Sequence, residues 1–155
     1  VLGSLIAYLR AAVPRLHDPA TTMGHELQLV KAYLELMHMR MPDRLQFAID
    51  ADAAASTVRC PPTTLLTLVE NAIRHGIDPS EEGGRIDIRV RMRDGRCTAE
   101  VSDTGVGIAD ASQGLGTGLT TLRERLQLAF GSAAQVRIGS LSPHGVRAEV
   151  EFPAT

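Results

Sequence analysis

Near the middle of the chain the run Leu68-Val69-Glu70-Asn71-Ala72-Ile73-Arg74-His75-Gly76 sets a carboxylate, an amide, a guanidinium and an imidazole into an otherwise apolar stretch. At 3.6 residues per turn, Asn71, Arg74 and His75 share one face of a helix. An amide oxygen is a ligand for a hard cation such as Mg2+, and the two basic side chains suit phosphate oxygens, so this face fits a metal-bound polyphosphate. Alone, the same cluster reads equally well as the solvated end of a helix, with His75 favoured by the C-terminal dipole.

Two glycine-containing segments follow it. In Asp103-Thr104-Gly105-Val106-Gly107 a carboxylate at a strand end precedes alternating glycines. A carboxylate accepts a hydrogen bond from an exocyclic amine such as that of adenine, and Gly105 and Gly107 let backbone lie close to a flat ring. In Gly114-Leu115-Gly116-Thr117-Gly118-Leu119 the glycines precede a helix, where exposed N–H groups and the helix dipole favour phosphate. This segment is neither the dinucleotide fingerprint, whose strand and acidic residue are misplaced here, nor a P-loop, since no Gly-Lys-Ser/Thr occurs in it.

The elements that must position these residues can be read from periodicity. Leu2, Ile6, Leu9, Val13 and Leu16 form a helical stripe close to a coiled-coil seam, bent or ended near Pro14, with a turn at His17-Asp18-Pro19. Thr21 or Thr22 caps a second helix with Glu26 in its first turns and Leu27, Val30, Leu34, Met37 and Met41 along one side, stopping before Pro42-Asp43. Two such helices cannot bury both stripes on each other, so a second copy of the chain is their natural partner. Leu45, Phe47 and Ile49 alternate as a strand. Pro61-Pro62 opens a helix that runs to about His75, with Gly76 suited to end it. Residues 85–93 and the return strand through Cys97, Ala99 and Val101 flank Asp94-Gly95, a strong hairpin turn. A helix from about Gly118 to Phe130 precedes a last pair of strands, 135–140 and 146–152, joined by a turn at Pro143-His144-Gly145. The order implies an α+β fold, a two-layer α/β sandwich with a mixed, largely antiparallel sheet, preceded by an N-terminal helical segment.

Composition narrows the function classes. The chain has 155 residues, 44% hydrophobic and 22% charged, with 3% aromatics and no Trp, so its core is aliphatic. A net charge of -2 and no long basic run argue against nucleic acid as a partner. Lys31 is the single lysine against 15 arginines. Cys60 and Cys97 lack metal-ligand or redox spacing and read as buried small hydrophobes. No run approaches the roughly 18 apolar residues of a membrane span. The chain therefore reads as a cytoplasmic piece of a longer protein, without membrane contact of its own, whose parent could be anchored in an inner membrane.

No single motif is persuasive, but their order and placement are. Together they resemble the ATPase superfamily that joins DNA gyrase, the large heat-shock chaperones, mismatch-repair ATPases and sensor histidine kinases. Its N box is similar to Glu70–Gly76, its first glycine box to Asp103–Gly107, and its second to Gly114–Leu119. Within it the chain most resembles the sensor histidine kinases with a short ATP lid. Pro61-Pro62 with Leu65, Leu66 and Val69 is similar to the entry into that family's N-box helix, and Leu122-Arg123-Glu124-Arg125-Leu126 to the helix after its second glycine box. Glu26-Leu27, Tyr33-Leu34 and Arg40 are similar to its preceding helix, and Gly145 and Pro153 to its C-terminus. Thr121 and Val146 depart from it, where Asn and Thr are common.

The resemblance implies a Bergerat ATP-binding fold over residues 43–155 and a piece of the dimerisation region over 1–42. It also implies ATP and Mg2+ as cofactors, Asn71 as the Mg2+ ligand, and Arg74 and His75 near the phosphates. Asp103 would take the adenine amine, Gly105 and Gly107 would shape the base pocket, and Gly114, Leu115, Gly116, Thr117, Gly118 and Leu119 would enclose the phosphates. Glu70 would be the general base, in a bacterial phosphorelay from a homodimeric kinase to the receiver domain of a response regulator. The family's phosphoacceptor lies in a Pro-His-Phe segment, which this sequence lacks. His25-Glu26-Leu27 imitates another acceptor motif, but Gln28-Leu29-Val30 follows in place of a basic residue, Ser/Thr and Pro. His25 therefore reads as an exposed helix residue, and His17, His38 and His144 as surface residues. The alternatives are an anti-sigma-type serine kinase and a nucleotide-binding or dimerisation module without kinase activity.

Overall fold

The computed structural model describes residues 21–107 and 111–154, the stretch 111–117 by its backbone alone. The stripe from Leu2 to Leu16, the turn at His17-Asp18-Pro19, and the side chains of Leu115 and Thr117 lie outside the described residues.

A short strand β1 (Thr21–Thr22) leads into helix α1 (Met23–Arg40). Thr22 caps it, its hydroxyl accepting from the His25 N–H at 3.3 Å. Strand β2 (Leu45–Ala51) follows, then a 3-10 turn (Ala53–Ala55) and strand β3 (Arg59–Cys60), which pairs antiparallel with β1. Helix α2 (Thr64–Ala72) passes into a π turn (Ile73–Ile77). The hairpin β4 (Gly84–Arg93) and β5 (Arg96–Asp103) comes next, then helix α3 (Ala111–Phe130), a 3-10 turn (Gly131–Ala133), and the hairpin β6 (Gln135–Ser140) and β7 (Val146–Pro153).

The main sheet has five strands in the order β2-β4-β5-β7-β6. Its one parallel pair is β2 with β4, Leu45 opposite Gly84 and Ala51 opposite Val90, and α2 lies in the connection that such a pair requires. The remaining pairs are antiparallel. Asp94 and Gly95 both have positive φ, 52° and 75°, as a two-residue type I′ turn demands.

One face of the sheet makes the core. Ile86, Ile88 and Val90 on β4, Cys97, Ala99 and Val101 on β5, and Ala148, Val150 and Phe152 on β7 are all buried. Leu65, Leu68 and Val69 of α2 and Leu119, Leu122 and Leu126 of α3 cover them. The opposite face is charged: Arg91 pairs with Asp50 at 2.6 Å, and Arg137 bridges Glu149 and Glu151. Leu29, Val30 and Leu34 of α1 are fully buried in the same core. Helix α1 thus packs on the sandwich through Met23, Leu29, Val30 and Leu34, while Leu27 and Met37 are only partly buried.

Three local readings need correction. The helix expected to begin near Gly118 begins at Ala111, so the second glycine segment lies in a helix and not in a loop before it. Leu119, Leu122 and Leu126 anchor this helix in the core, and residues before them extend it despite about 1 kcal/mol of lost propensity per glycine. Gly76 does not end its helix either; the π turn carries on to Ile77, with the Asp78 N–H bonded to the Ile73 carbonyl at 2.8 Å. His38, read as a surface side chain, is half-buried: its Nδ1 lies 2.7 Å from the Leu45 carbonyl, and its ring packs edge-on to Phe47.

Candidate functional site

The alternation of β5 makes Asp103 unusual. Cys97, Ala99, Val101 and Asp103 all point into the core, so the carboxylate occupies a position where the pattern calls for an apolar side chain. Asp103 is 2% exposed. Burial pushes its pKa up from the ordinary value of 3.8, opposed by backbone N–H groups of Gly105 and Val146 and by the nearby His144. The Gly105 N–H donates to Oδ1 at 2.9 Å. A carboxylate offers about four acceptor sites, so capacity remains for a ligand donor.

The first and second motifs interlock through two glycines. A Cβ on Gly76 would sit 2.6 Å from Asp103 Oδ1, and one on Gly105 would sit 2.2 Å from the Gly76 carbonyl oxygen. Neither position admits a side chain. The Val106 N–H donates to the Gly76 carbonyl at 3.1 Å, joining the end of the polar helix to the glycine loop. Thr104 ties the loop to β4: its N–H donates to the Arg85 carbonyl at 3.0 Å, and its hydroxyl accepts from the Arg85 N–H at 2.9 Å. Gly76 is therefore required by close approach and not by a left-handed helix end. The π turn lies at this junction, a form that recurs at functional sites.

The remaining polar residues line the end of α2. Glu70 and Asn71 are half-buried, and Arg74 and His75 are exposed. Burial raises the pKa of Glu70 above the usual 4.5, with Arg74 pulling the other way. A carboxylate that is harder to ionise is a better proton acceptor once ionised. Gly118 faces α2 at Thr67, where an added Cβ would lie 3.5 Å from Cγ2. Thr67 precedes Asn71 by about one helical turn, so the described part of the third segment runs beside the N-terminal side of the polar cluster. Leu119 is 2% exposed and its side chain serves the core.

Several residues support the site through contacts that the sequence did not show. Glu26, fully buried on α1, accepts from the N–H groups of Thr63 (3.1 Å) and Leu65 (3.0 Å), and so caps α2 from 37 residues away. Arg125 of α3 meets the same end through the Thr63 hydroxyl, at 2.9 Å, and the Pro62 carbonyl. At the opposite end the Arg44 guanidinium donates to the carbonyls of Ile77, Asp78 and Ser80 at 3.1, 3.1 and 2.6 Å, where a cation complements the helix dipole. Arg40 pairs with Asp78 at 2.7 Å. His144 contacts the Gly105 carbonyl at 2.7 Å, although its position in a turn suggested no partner. His25 is exposed in the first turn of α1, as read.

Residues 61–155 match the family described as Histidine kinase-, DNA gyrase B-, and HSP90-like ATPase. Among curated relatives, the sensor protein LytS of Enterococcus faecalis is 28% identical, the alignment covering 99% of this chain and 28% of LytS. Sensor histidine kinase YesM of Bacillus subtilis is 32% identical over 85% of this chain and 24% of YesM. The chain thus spans about a quarter of the length of these relatives. Among solved structures, the catalytic domain of histidine kinase ThkA superposes with a TM-score of 0.66 at 19% identity, covering 88% of this chain and 95% of that one. Acinetobacter baumannii histidine kinase AdeS gives a TM-score of 0.66 at 16% identity over 99% of this chain and 77% of that one.

Proposed function

Because the chain belongs to the histidine kinase-, DNA gyrase B- and HSP90-like ATPase family, we propose that its ATP site is the junction of the α2 end, Asp103 and the Gly105–Gly107 loop. We infer further that the parent protein is a sensor histidine kinase. The observation that carries the site is the buried Asp103 carboxylate, held in a core-facing position of β5 against two glycines that admit no side chain. A buried carboxylate costs stability unless something hydrogen-bonds it, and a base with an exocyclic amine is the partner this geometry fits.

The residues divide the work. Asp103 accepts from the adenine amine, while Gly105 and Gly107 present backbone to the ring. Asn71 supplies an amide oxygen, which suits Mg2+ because that ion takes few protein ligands and completes its shell with water and phosphate. When bound, Mg2+ neutralises the charge that develops on the transferring phosphoryl group. Arg74 and His75, exposed beyond Asn71, meet phosphate oxygens. Of the second glycine segment, Gly114 lies in the first turn of α3, whose N–H groups have no intrahelical acceptor and suit phosphate, while Leu115, Gly116, Thr117 and Gly118 follow in the same helix beside the site and Leu119 anchors it in the core. As an imidazole nitrogen forms the N–P bond and the bond from the γ-phosphorus to the bridging oxygen breaks to release ADP, Glu70 takes the proton the imidazole loses, and its half-burial keeps it basic enough to do so.

In the parent protein the acceptor histidine lies outside this chain, and residues 1–42 form part of the dimerisation region of a homodimer. The phosphoryl group then passes to a receiver-domain aspartate of a response regulator. Calorimetry with a non-hydrolysable ATP analogue and Mg2+ tests the site. Asp103→Asn should weaken binding at least about tenfold, which corresponds to the loss of a hydrogen bond to a charged group. Asn71→Ala should abolish the Mg2+ dependence of affinity. Unchanged affinity in the first variant, or retained dependence in the second, refutes the corresponding role.

A further inference from the structure

The turn between β6 and β7 has no role in the site described so far, yet it lies directly on it. Gly145 has φ +118°, and a Cβ there would sit 2.1 Å from the Asp103 carbonyl oxygen. The turn backbone thus presses on the end of β5, and His144 is delivered over the glycine loop. A Cβ on Gly107 would lie 3.4 Å from the Gly145 backbone nitrogen, so both ends of the loop border this turn. The His144 Nδ1 lies 2.7 Å from the Gly105 carbonyl oxygen. A carbonyl only accepts, so Nδ1 carries the proton and donates.

We propose that His144 is a positioning residue for the base-binding loop: its Nδ1–H holds the Gly105 carbonyl and thereby fixes the peptide between Asp103 and Gly107 against which an adenine base is read. The inference rests on the ATP-site reading above. Three polar groups of the Gly105–Val106 segment are held from three different elements. The Gly105 N–H is bonded to Asp103 on β5, the Val106 N–H to Gly76 at the end of α2, and the Gly105 carbonyl to His144 on the β6–β7 turn. Glycine loses more conformational freedom on ordering than any other residue, so a loop of alternating glycines binds a flat ring well only if its peptide planes are already set. Without His144 the Gly105–Val106 peptide is held on one side only, by the Val106 N–H bond to the Gly76 carbonyl, and the ligand must supply part of the ordering that the protein supplied before. His144 touches neither phosphate nor metal in this account; it acts through the Gly105 peptide.

The test is a titration of the 155-residue chain with ADP and with the Mg2+ complex of a non-hydrolysable ATP analogue, with thermal melting of each variant alongside. H144A should lose affinity for both nucleotides by the same factor, roughly three- to tenfold for one hydrogen bond, because the defect is at the base. H144N should recover to within about twofold, since the Asn amide nitrogen is separated from Cα by the same number of bonds as Nδ1 and also donates. H144L, which fills space but donates nothing, should behave as H144A. Wild-type binding with H144A unchanged overturns the role of His144 and leaves the ATP site standing. H144N no better than H144L overturns it too, as does a loss that merely follows the fraction of unfolded protein or falls on the triphosphate alone. Failure of the wild type to bind either nucleotide overturns both readings together.

Discussion

Replacing Glu26 with Ala should unfold the N-terminal end of the helix that carries the polar cluster. The Glu26 side chain is fully buried and accepts from the N–H groups of Thr63 and Leu65 at 3.1 and 3.0 Å. These donors belong to the N-cap residue and the first turn of α2, which has no capping bond from its own Thr63 side chain. Alanine leaves the buried Leu65 N–H and the part-buried Thr63 N–H without that acceptor, at about 1–3 kcal/mol for each unsatisfied donor. The loss is therefore about 2–6 kcal/mol, a large part of the roughly 5–15 kcal/mol that keeps a domain folded. In urea the midpoint should fall with little change in slope, and Tm should drop by roughly 6–18 °C at about 3 °C per kcal/mol. Glu26→Gln keeps one amide oxygen as acceptor but turns an NH2 toward the second donor, so it should lose about half as much. An E26A variant melting within about 2 °C of wild type, the range of ordinary surface substitutions, would show that the cap contributes nothing and that α2 is held by packing alone.

Other outcomes follow from the same geometry. The folded-state pKa of Asp103 is raised by burial, so its stabilising contribution is fully present below the ordinary value of 3.8 and is lost as pH rises through the folded value. Asp103→Asn should therefore raise Tm at pH 7 even as it weakens nucleotide binding, and its advantage over wild type should shrink as pH falls toward 3.8; an advantage independent of pH in a melting series would contradict the sign. Gly76→Ala places a Cβ 2.6 Å from Asp103 Oδ1 and Gly105→Ala places one 2.2 Å from the Gly76 carbonyl, so both should destabilise the fold by about 1–3 kcal/mol or more, as overpacked sites do. Denaturation curves check this, and wild-type midpoints would refute the interlock. Burial, assisted by Asp52, pushes the Cys97 thiol up to about 11. Native protein should leave Cys97 unlabelled by a thiol reagent at pH 8 and label it on unfolding; prompt native labelling would mean that the core is open there.

The sheet was legible because its signals are local. Alternation along residues 85–93 fixed which face of β4 is buried, and Asp94-Gly95 fixed the turn, because both need only neighbouring residues to be satisfied. The three motifs were legible by type and order, and the structure brings Asp103 and Gly76 into direct contact. The reason given for Gly76 was incomplete: a glycine near a helix end suggests a left-handed cap, whereas here the requirement comes from Asp103, which is distant in sequence. The start of α3 was misread because glycines at 114, 116 and 118 lower helix propensity, while Leu119, Leu122 and Leu126 anchor the helix in the core and carry it past them. Glu26, Arg44 and His144 were missed as supports for one reason. Each satisfies backbone groups more than 30 residues away, and a sequence period reports only contacts within an element.

An adenine nucleotide is proposed to sit between the end of α2 and the Asp103–Gly107 loop. A backbone amide NMR titration with a non-hydrolysable ATP analogue and Mg2+ tests it most directly, because each peptide of the site reports separately. Saturable shifts should concentrate at residues 70–76 and 103–107, with the shifts at 103–107 suppressed in Asp103→Asn. Shifts concentrated instead in the groove between α3 and β6, around Arg123 and Arg137, or a titration that leaves residues 103–107 unmoved, would contradict it.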